Sequence, residues 1–450
     1  MNKRSLLFTL LFSCAVFSRS QAQEVRMDST FSLLKKVADW QWHELETAGW
    51  KNHRKDWTSG AMYTGMFAWA QYANNVMYYD KLKEVGEMNN WQIGKYRHFA
   101  DDYCVGQLYT QLYEVFREER YIQDFKSLAD TLVTIPHHES LEWKNNIYTR
   151  EWAWCDALFM GPPGLGYLTE ATGNPNYLNK SIALWWKSTA FLYDKDERLF
   201  YRDSRYFDKR EKNGAKVFWS RGNGWVIAGL ARLISTTPKN HPAYEQLKRL
   251  FTEMADKLAA IQYKDGSWHA SLLDPESFPI KETSGTGFIA YALTWGINEG
   301  LLSFPKYQPV VTKAWEAMRT SVHSDGKLGY VQPQGAAPDR VSYDGTDVYG
   351  VGAFLLFGTE ILKMLAQYEN NNTTSVVYNP APKTVVRQVA IDLRKEKGKM
   401  VRLANYSVQD LLTGEKIKYT TTENSRNIVF KFDVELAPGS KRYFALKQKR

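Results

Sequence analysis

Apolar and polar residues recur with a helical period of about 3.6 residues along most of the chain. Between about residues 28 and 368, six segments carry apolar residues on one face and charged residues on the opposite face. These segments are 32–46, 78–88, 121–132, 177–193, 244–262 and 307–323. Because only one stripe of each segment is apolar, we predict outer helices that bury a single face.

A second set of segments is apolar or small on almost every side, and the two kinds take turns along the chain. The second set comprises 57–65, 101–109, 152–167, 221–230, 282–291 and 349–356. A helix that is buried on most sides needs small residues where neighbouring backbones approach closely. Repeated hairpins with one buried member each predict an all-α fold, an (α/α)6 toroid in which inner helices are wrapped by outer ones.

The pattern changes to short alternating runs after about residue 375. A polar linker at 370–375 and a Pro-Ala-Pro sequence at 380–382 precede these runs. The runs are 385–393, 400–406, 417–421, 428–434 and 442–446. Alternation with turn residues between the runs predicts a small antiparallel β module over 375–450, after a catalytic helical domain over 23–374.

The N-terminus has the pattern of a secretory signal peptide. Lys3 and Arg4 precede an apolar run at 5–17, and small residues before Gln23 form a cleavage site. We therefore predict a signal peptide over 1–22 and a secreted, periplasmic protein. Cys14 leaves a lipoprotein tether as an alternative, and no later segment has the uninterrupted apolar length of a membrane span.

Composition and charge narrow the class of protein. Aromatic residues make up 14% of the chain, although its mean hydropathy is −0.47, a combination typical of enzymes with aromatic-lined, sugar-binding clefts. The formal charge is +9, and 383–450 holds sixteen Lys and Arg against seven Asp and Glu. Such a tail could bind acidic polysaccharide or simply be solvated, and a nucleic-acid partner is not expected in an exported protein.

The cysteines exclude a disulfide scaffold. Only Cys104 and Cys155 remain after signal cleavage, so at most one bridge can form. No His or Cys cluster has metal-ligand spacing, and we expect neither a metal nor another cofactor. The sequence does not indicate an oligomeric state.

The candidate chemistry lies at the starts of the inner segments, where their Gly, Trp and charged residues are concentrated. Parallel inner helices would bring these starts together at one end of the ring, here called the mouth. We expect the site at the mouth, where helix N-termini favour an anionic ligand. Asp156 lies between Trp154, Cys155 and Phe159, and loss of hydration there would raise its pKa. Asp156 is therefore the predicted catalytic acid, with a local cap or pair in an aromatic core as the alternative.

Two adjacent aspartates open the second inner segment. One of Asp101 and Asp102 is expected to cap the helix and the other to project into the mouth. The residues alone do not decide between them, although Asp102 shares a helix face with Gly106.

A tryptophan-rich motif opens the fourth inner segment. Arg221 lies between Trp219 and Trp225 in the sequence. The guanidinium group of Arg221 could donate two hydrogen bonds to a carboxylate, and the indole rings could stack on a sugar ring. The alternative is a cation–π cluster in the core. His269, on the loop before the fifth inner segment, is a weaker candidate general base, because a lone loop histidine is more often a hydrogen-bonding surface residue.

These motifs resemble those of the unsaturated rhamnogalacturonyl hydrolases of glycoside hydrolase family 105 and, more distantly, the unsaturated glucuronyl hydrolases of family 88. The resemblance covers about residues 30–368. It is most specific at 219–225 (WSRGNGW), 155–160 (CDALFM) and 282–287 (ETSGTG). It implies an (α/α)6 barrel, independently of the periodicity.

The resemblance also implies an unusual hydrolysis. A 4,5-unsaturated uronic acid at the non-reducing end is protonated at C4 while water adds at C5, and the resulting hemiketal opens and expels the leaving sugar. One aspartate acts as acid and base, and this role corresponds to Asp156. A second aspartate corresponds to the Asp101 and Asp102 pair.

The substrate-binding residues of the family correspond to Trp219, Arg221 and Trp225. This chain departs from the family at Arg202, where many relatives have histidine, so Arg202 is expected to contact the uronate or the leaving sugar. The implied partner is an unsaturated uronyl oligosaccharide. The alternatives are an (α/α)6 sugar epimerase, a hydrolase of saturated uronides, or a non-catalytic polysaccharide-binding protein.

Overall fold

The computed structural model describes most of the chain from residue 27 onward. The described residues are 27–73, 75–96, 98–368, 374–379, 383–394, 403–411, 413–423, 427–438 and 440–448. The predicted signal peptide with Cys14 lies outside them, as do 370–373 of the predicted linker and the Pro-Ala-Pro sequence at 380–382.

Helices form the larger part of the described chain. They are α1 (Met27–Thr47), α2 (Trp57–Ala73), α3 (Val76–Met88), α4 (Gly106–Phe116), α5 (Gln123–Thr134), α6 (Ala157–Met160), α7 (Pro162–Thr172), α8 (Pro175–Leu192), α9 (Ser220–Thr236), α10 (Tyr244–Ala260), α11 (Thr283–Asn298), α12 (Phe304–Arg319) and α13 (Val348–Tyr368). Helices α2, α4, α7, α9, α11 and α13 pack in that order, and α13 returns to α2. This closed inner ring, with α1, α3, α5, α8, α10 and α12 outside it, confirms the predicted (α/α)6 toroid.

Short elements lie in the loops between the helices. Single 3-10 turns occur at Ala100–Tyr103, Glu119–Tyr121, Ile147–Thr149, Ser204–Tyr206 and Pro275–Ser277. Two antiparallel strand pairs are β1 (Tyr193–Asp194) with β2 (Leu199–Phe200) and β3 (Trp268–His269) with β4 (Lys281–Glu282).

Glycines allow the inner helices to touch through their backbones. A Cβ atom at Gly65 of α2 would overlap the carbonyl oxygen of Gly352 in α13, and one at Gly352 would overlap the carbonyl oxygen of Ala61. The small residues of the inner segments therefore have the predicted role, because a larger side chain would separate the two helices.

The predicted third inner helix over 152–167 is interrupted in the structure. Residues 152–156 are not helical, α6 is a short turn, and α7 restarts at Pro162. A proline has no N–H to donate and is tolerated in the first turn of a helix, so Pro162 begins a new helix rather than continuing one. The second inner element also begins irregularly, with the turn Ala100–Tyr103 before α4. These two elements carry the candidate acids.

The C-terminal strands form two antiparallel sheets. The strands are β5 (Thr374–Tyr378), β6 (Val385–Arg394), β7 (Tyr406–Asp410), β8 (Lys416–Ile417), β9 (Thr420–Glu423), β10 (Asn427–Leu436) and β11 (Lys441–Gln448), in the orders β6-β10-β9 and β5-β11-β7-β8. Their shared core includes Ile391, Phe430 and Phe444. The predicted run at 400–406 differs, because 403–405 is a 3-10 turn and the strand begins at Tyr406.

The β module packs against the end of α2 that is farthest from the mouth. Tyr443 of β11 stacks on Tyr72 with ring centroids 6.0 Å apart, and the two hydroxyls are hydrogen-bonded at 2.9 Å. Tyr72 lies in the last turn of α2. The module therefore contacts the ring away from the inner-helix starts.

Two further features of the core bear on the predictions. Cys104 and Cys155 are both buried free thiols, so the bridge that the sequence allows is absent between them. Among the described helices, α13 is apolar and long enough over 348–367 to cross a membrane, but 89% of that window is buried inside the protein. Packing in the inner ring accounts for its composition.

Candidate active site

The starts of the inner elements meet at one end of the ring, as predicted. Near these starts, Gly60 faces Cys104, Gly222 faces Cys155, Gly224 faces Gly285, and Gly352 faces Ala61. The contacts join α2 to the turn before α4, the residues before α6 to α9, α9 to α11, and α13 to α2. Neighbouring inner elements therefore run parallel and open at a common mouth.

Asp156 lies at the N-cap of α6 and is almost completely buried. Its Oδ2 is 3.4 Å from Nε of Arg202 and 3.5 Å from Sγ of Cys155. The backbone N–H of Cys155 donates to the carbonyl oxygen of Arg202 at 2.8 Å, which holds the two segments together. The structure thus places the predicted acid beside a buried guanidinium.

Asp101 is the neighbouring aspartate that is electrostatically coupled to Asp156. Burial and then the charges of Asp156 and Asp56 raise the pKa of Asp101 well above its ordinary value, and Arg202 only partly opposes this. Asp101 therefore retains its proton to higher pH than an exposed aspartate does.

Asp102 has a different surrounding. Its Oδ2 accepts a hydrogen bond from the backbone N–H of Tyr96 at 2.7 Å, and its carbonyl oxygen accepts one from Gly94. Gly94 packs so closely on the Asp102 carboxylate that a Cβ atom there would overlap it. Asp102 therefore braces the segment 94–96, whereas Asp101 acts on Asp156.

Arg202 links Asp156 to a second buried carboxylate. Its Nη1 donates to Asp203 at 2.7 Å, and its guanidinium lies 4.8 Å from the ring centroid of Trp143. Burial disfavours its charge, but Asp156 and Asp203 outweigh that effect and raise the pKa of Arg202. Nε is buried without a hydrogen bond among the described residues, although it lies 3.4 Å from Oδ2 of Asp156.

Aromatic residues before Asp156 surround this ion pair. Trp143 stacks on Tyr148 with centroids 5.2 Å apart, and Trp154 packs edge-on against both. Phe99, from the segment that carries Asp101, packs on Tyr148 and Trp154. The sequence analysis missed Trp143 and Tyr148, although the density of aromatic residues over 143–154 was a signal for them.

Arg221 is fully buried between two aromatic rings. Its guanidinium lies 4.5 Å from the ring of Trp219 and 4.9 Å from that of Tyr349. It donates to the carbonyl oxygens of Gln332 at 2.6 Å and of Pro333 at 2.8 Å. This arrangement matches the cation–π alternative, and it fixes the backbone at 332–333.

Trp219 and Glu282 complete the same cluster. The indole N–H of Trp219 donates to the side-chain oxygen of Gln332 at 3.0 Å. Glu282 accepts from the backbone N–H groups of Ser284 and Gly285 at the start of α11, and also from that of Gln332. Gln332 has no motif around it, so its central position could not be predicted from the pattern of residues.

Trp225 and His269 are both buried away from solvent. Trp225 packs on Phe159 and Phe288, with centroids 4.8 and 4.1 Å away, in the centre of the ring. His269 contacts Asp265 through Nε2 at 3.0 Å and the carbonyl oxygen of Pro275 through Nδ1 at 3.3 Å. With both nitrogens engaged in its own loop, His269 holds that loop in place.

Carboxylates occupy several of the helix starts. Asp56 accepts from the backbone N–H of Thr58 at 2.9 Å, Asp347 from that of Val348 at 2.9 Å, and Glu282 caps α11. These caps offset the positive potential at the N-termini of α2, α11 and α13. We had expected that potential to favour an anionic ligand. At this mouth, positive charge comes from arginine side chains instead.

Comparison with known proteins identifies the family. The model of glycosyl hydrolase family 88 matches residues 33–365. The chain belongs to this family. The family 88 and 105 resemblance seen in the motifs is thereby confirmed, and the protein is a glycoside hydrolase.

Individual members of the family are similar over most of their length. An unsaturated 3S-rhamnoglycuronyl hydrolase of Formosa agariphila is 40% identical over 323 residues, which are 69% of this chain and 85% of that protein. A protein of the same name from Alteromonas sp. (strain LOR) is 34% identical over 360 residues, covering 75% and 87%. The solved glycosyl hydrolase family 88 structure from Bacteroides vulgatus is 29% identical with a TM-score of 0.68, covering 75% of this chain and 99% of that one.

Proposed function

We propose that this hydrolase removes a 4,5-unsaturated uronic acid from the non-reducing end of oligosaccharides that a polysaccharide lyase has produced. The observation that carries the proposal is the coupled pair of Asp101 and Asp156, with the Arg202 guanidinium beside it, at the mouth of a family 88 ring. A proton that can be given and taken back in a buried site is what hydration of a carbon–carbon double bond requires.

Asp156 is the group that donates and accepts the proton in this proposal. It protonates C4 of the unsaturated sugar, and as a carboxylate it then takes a proton from the water that adds at C5. The product is a hemiketal at C5. Its ring opens to a ketone at C5 and a hemiacetal at C1, which breaks down and releases the leaving sugar with its hydroxyl restored.

Asp101 and Arg202 adjust the charge around Asp156. Asp101 keeps a proton to high pH, so the pair does not accumulate two negative charges as the reaction proceeds. Arg202 lies close enough to stabilise the Asp156 carboxylate after proton transfer. Asp156 thus reacts beside one neutral carboxyl group and one guanidinium, so only one negative charge has to be accommodated in the buried pair.

The relatives support a narrower substrate class. Two proteins at 40% and 34% identity are named unsaturated rhamnoglycuronyl hydrolases. We therefore propose rhamnose as the sugar that follows the unsaturated uronate.

Loss of the ultraviolet absorbance of the unsaturated uronate tests the activity. The wild-type protein should remove this absorbance from lyase-generated uronyl-rhamnose disaccharides. Asp156→Asn should lower kcat by at least about a thousandfold without changing near-ultraviolet circular dichroism. Asp196→Asn, an exposed aspartate after α8, is the matched control and should be fully active.

Several results would contradict the proposal. No loss of absorbance with any unsaturated uronide would exclude the activity, and conversion of saturated sugars without such loss would indicate an epimerase or a saturated-uronide hydrolase. Near-normal turnover by Asp156→Asn would place the acid elsewhere.

Export to the periplasm belongs to the same proposal and is supported by the signal-like sequence at 1–22. Cell fractionation should recover a processed chain that begins near Gln23. Cys14→Ser should not change its release from membranes, whereas loss of a membrane-bound form in that variant would support the lipoprotein alternative. Retention of the unprocessed chain in the cytoplasm would contradict export.

A further inference from the structure

A second pocket lies outside the inner ring, between the outer helix α1 and the starts of α2 and α13. Its lining comes from residues between 40 and 52, from 58–59 and from 346–348, and we call it the α1 pocket. Its volume is about 140 Å³. A cavity of about 150 Å³ can hold a ligand the size of benzene, so the α1 pocket has room for one six-membered ring.

Two stacked aromatic side chains separate the α1 pocket from the centre of the toroid. Trp57 and Tyr349 stack with centroids 5.4 Å apart, and they lie 6.0 and 6.3 Å from the indole of Trp225. Their chain neighbours Thr58 and Val348 line the pocket instead. Adjacent residues of a helix do not share a face, so the aromatic pair lies inward and the pocket lies behind it. The α1 pocket is therefore distinct from the mouth.

Gln41 brings a buried amide to this pocket without a partner from the protein. The residue lines the pocket from α1 and is only 5% exposed. Its side chain forms no hydrogen bond with any residue that the structure describes. An amide that is removed from water without a hydrogen bond destabilises the fold. A ligand in the pocket could supply the missing donor and acceptor.

Two more polar side chains of the pocket have bonds to offer. The hydroxyl of Thr346 is buried and has no hydrogen-bond partner in the described part of the chain. Glu44, one turn after Gln41 on α1, forms no ion pair with a described residue. Asp347 is already paired with Lys51 at 3.1 Å. Two carboxylates against one ammonium group give these side chains an excess of negative charge, which disfavours an anionic ligand.

Indole rings form the apolar part of the lining. Trp40 and Trp50 both line the pocket, and both are partly buried. The indole N–H of Trp40 donates to Asp325 at 3.2 Å, and Trp50 packs edge-on against Tyr63 with centroids 5.9 Å apart. These contacts hold the two indoles in place before a ligand binds, which lowers the entropic cost of binding.

We propose that the α1 pocket binds one neutral sugar ring, either as a free monosaccharide or as a unit of an oligosaccharide. Sugar hydroxyls both donate and accept hydrogen bonds, so they match the Gln41 amide, the Thr346 hydroxyl and the Glu44 carboxylate. The apolar C–H face of a sugar matches the indoles. This inference does not depend on the proposed function, because the mouth and Asp156 take no part in it.

Calorimetric titration with single sugars tests the class of ligand. Among L-rhamnose, D-xylose and D-galactose, at least one should bind the wild-type protein saturably, with a Kd on the order of 1 mM for a ligand of about ten non-hydrogen atoms. D-Glucuronate should not displace that sugar. Absence of saturable binding by all three, or displacement by D-glucuronate, would overturn the inference. Equal or tighter binding of the methyl glycoside would identify a linked sugar, and weaker binding a free one.

Two substitutions test the place of binding. Gln41→Leu removes the amide at similar side-chain size and should raise the Kd by at least about tenfold, and Thr346→Val should raise it by about threefold to tenfold. Gln246→Leu, on the exposed face of α10, is the matched control and should leave the Kd unchanged. An unchanged Kd in both pocket variants would refute the site. If Gln41→Leu does not fold, Thr346→Val decides.

A competition experiment separates the α1 pocket from the mouth. Asp156→Asn is titrated with the same sugar, with and without an excess of an unsaturated uronyl disaccharide. The two Kd values should agree within about twofold, because independent sites have no coupling free energy. Complete competition would place the sugar in the mouth and overturn the inference. If the wild type removes absorbance from no unsaturated uronide, the proposed function fails, and the pocket variants still decide this inference.

Discussion

Adjacent aspartates in one turn make different contacts because different segments surround them. Burial and then the charges of Asp156 and Asp56 raise the pKa of Asp101. Burial also raises the pKa of Asp102, but the hydrogen bond that it accepts from the backbone of Tyr96 opposes this shift. A one-residue step along a 3-10 turn rotates the side chain by about a third of a revolution. The two residues therefore face different neighbours despite identical chemistry.

Asp101→Asn should increase stability and decrease activity. A carboxyl group whose pKa is raised on folding costs stability above its ordinary pKa, because the unfolded chain ionises it freely. Replacing the ionisable carboxyl group by a neutral amide should increase the free energy of unfolding at pH 7 by about 1 kcal/mol and lower kcat/KM at least about a hundredfold. Thermal unfolding and the absorbance assay measure the two effects.

Asp102→Asn provides the comparison for that variant. The substitution also removes a carboxyl group whose pKa burial raises, but it weakens the charged acceptor that holds the backbone of Tyr96. We expect the loss of that hydrogen bond to outweigh the first effect, so the melting temperature should fall, with a smaller effect on turnover. Equal destabilisation by both substitutions would contradict the different surroundings that the structure assigns to the two residues.

Arg221 shows how a binding motif can serve the protein's own backbone. Its guanidinium group donates to the carbonyl oxygens of residues 332 and 333. The sequence had predicted a similar two-donor contact with the carboxylate of a substrate. The geometry required of the donor is similar in both cases. The residue type therefore predicted the kind of contact but not the partner.

The loop between α10 and α11 is the element in which pH should affect stability most clearly. Asp265, paired with His269, has its pKa lowered to about 2, and the same pairing raises the pKa of His269 despite burial. Tyr263 also packs against the imidazole, with centroids 4.2 Å apart. The ion pair joins the first part of the loop to β3.

His269→Gln should remove a pH-dependent part of the stability. A histidine with a raised folded-state pKa contributes fully below its ordinary pKa of about 6.5 and loses the contribution as pH rises through the raised value. The partner Asp265 contributes above about pH 4 and loses its part as pH falls toward about 2. The free energy of unfolding should therefore differ most between wild type and variant from about pH 4 to 6.5, by about 1 to 3 kcal/mol, and the melting temperature should differ most over the same range.

Melting curves at pH 5 and pH 9 are sufficient for this test. His43→Gln, on the exposed face of α1, is the control and should show no such trend. A difference for His269→Gln that grows from pH 5 to pH 9 would have the wrong sign for an ion pair and would refute this account.

The ring as a whole depends on backbone contact between its first and last inner helices. Helices α2 and α13 come from opposite ends of the helical segment, and their contact at Gly65 and Gly352 closes the toroid. Closure creates the mouth, because it brings Asp56, at the start of α2, to the same end of the ring as Asp347, at the start of α13.

Gly65→Ala should destabilise the entire ring. The added methyl group would overlap the carbonyl oxygen of Gly352, and the rigid helix backbone cannot move aside locally. We expect a loss of about 2 to 4 kcal/mol in the free energy of unfolding, measured by urea denaturation. Activity should fall with the folded fraction.

Gly335→Ala is the matched control for that substitution. Its added Cβ would lie 3.8 Å from the nearest atoms, which is ordinary packing, so the stability should change by less than about 0.5 kcal/mol. Similar stability of the two variants would show that α2 and α13 are farther apart than the structure places them.

The sequence by itself determined the type and order of the elements. Hydrophobic periodicity is a local property of the sequence. A helix that buries one face, or all of its faces, has the same pattern of apolar residues whichever neighbour covers it. Alternation of the two helix kinds therefore predicted the toroid, and the change to period two predicted the β module. Concentration of polar residues at the inner-helix starts likewise predicted the end of the ring at which Asp156 lies.

Only the tertiary structure decided which side chains meet. Arg221 and Gln332 are 111 positions apart, and no periodicity records their contact. The same holds for the choice of Asp101 over Asp102 as the neighbour of Asp156, and for Arg202 and Arg205 on Trp143. Charge and hydrogen bonding act over a few ångströms in space, so a residue's role depends on segments that are distant in the chain and adjacent only after the ring closes.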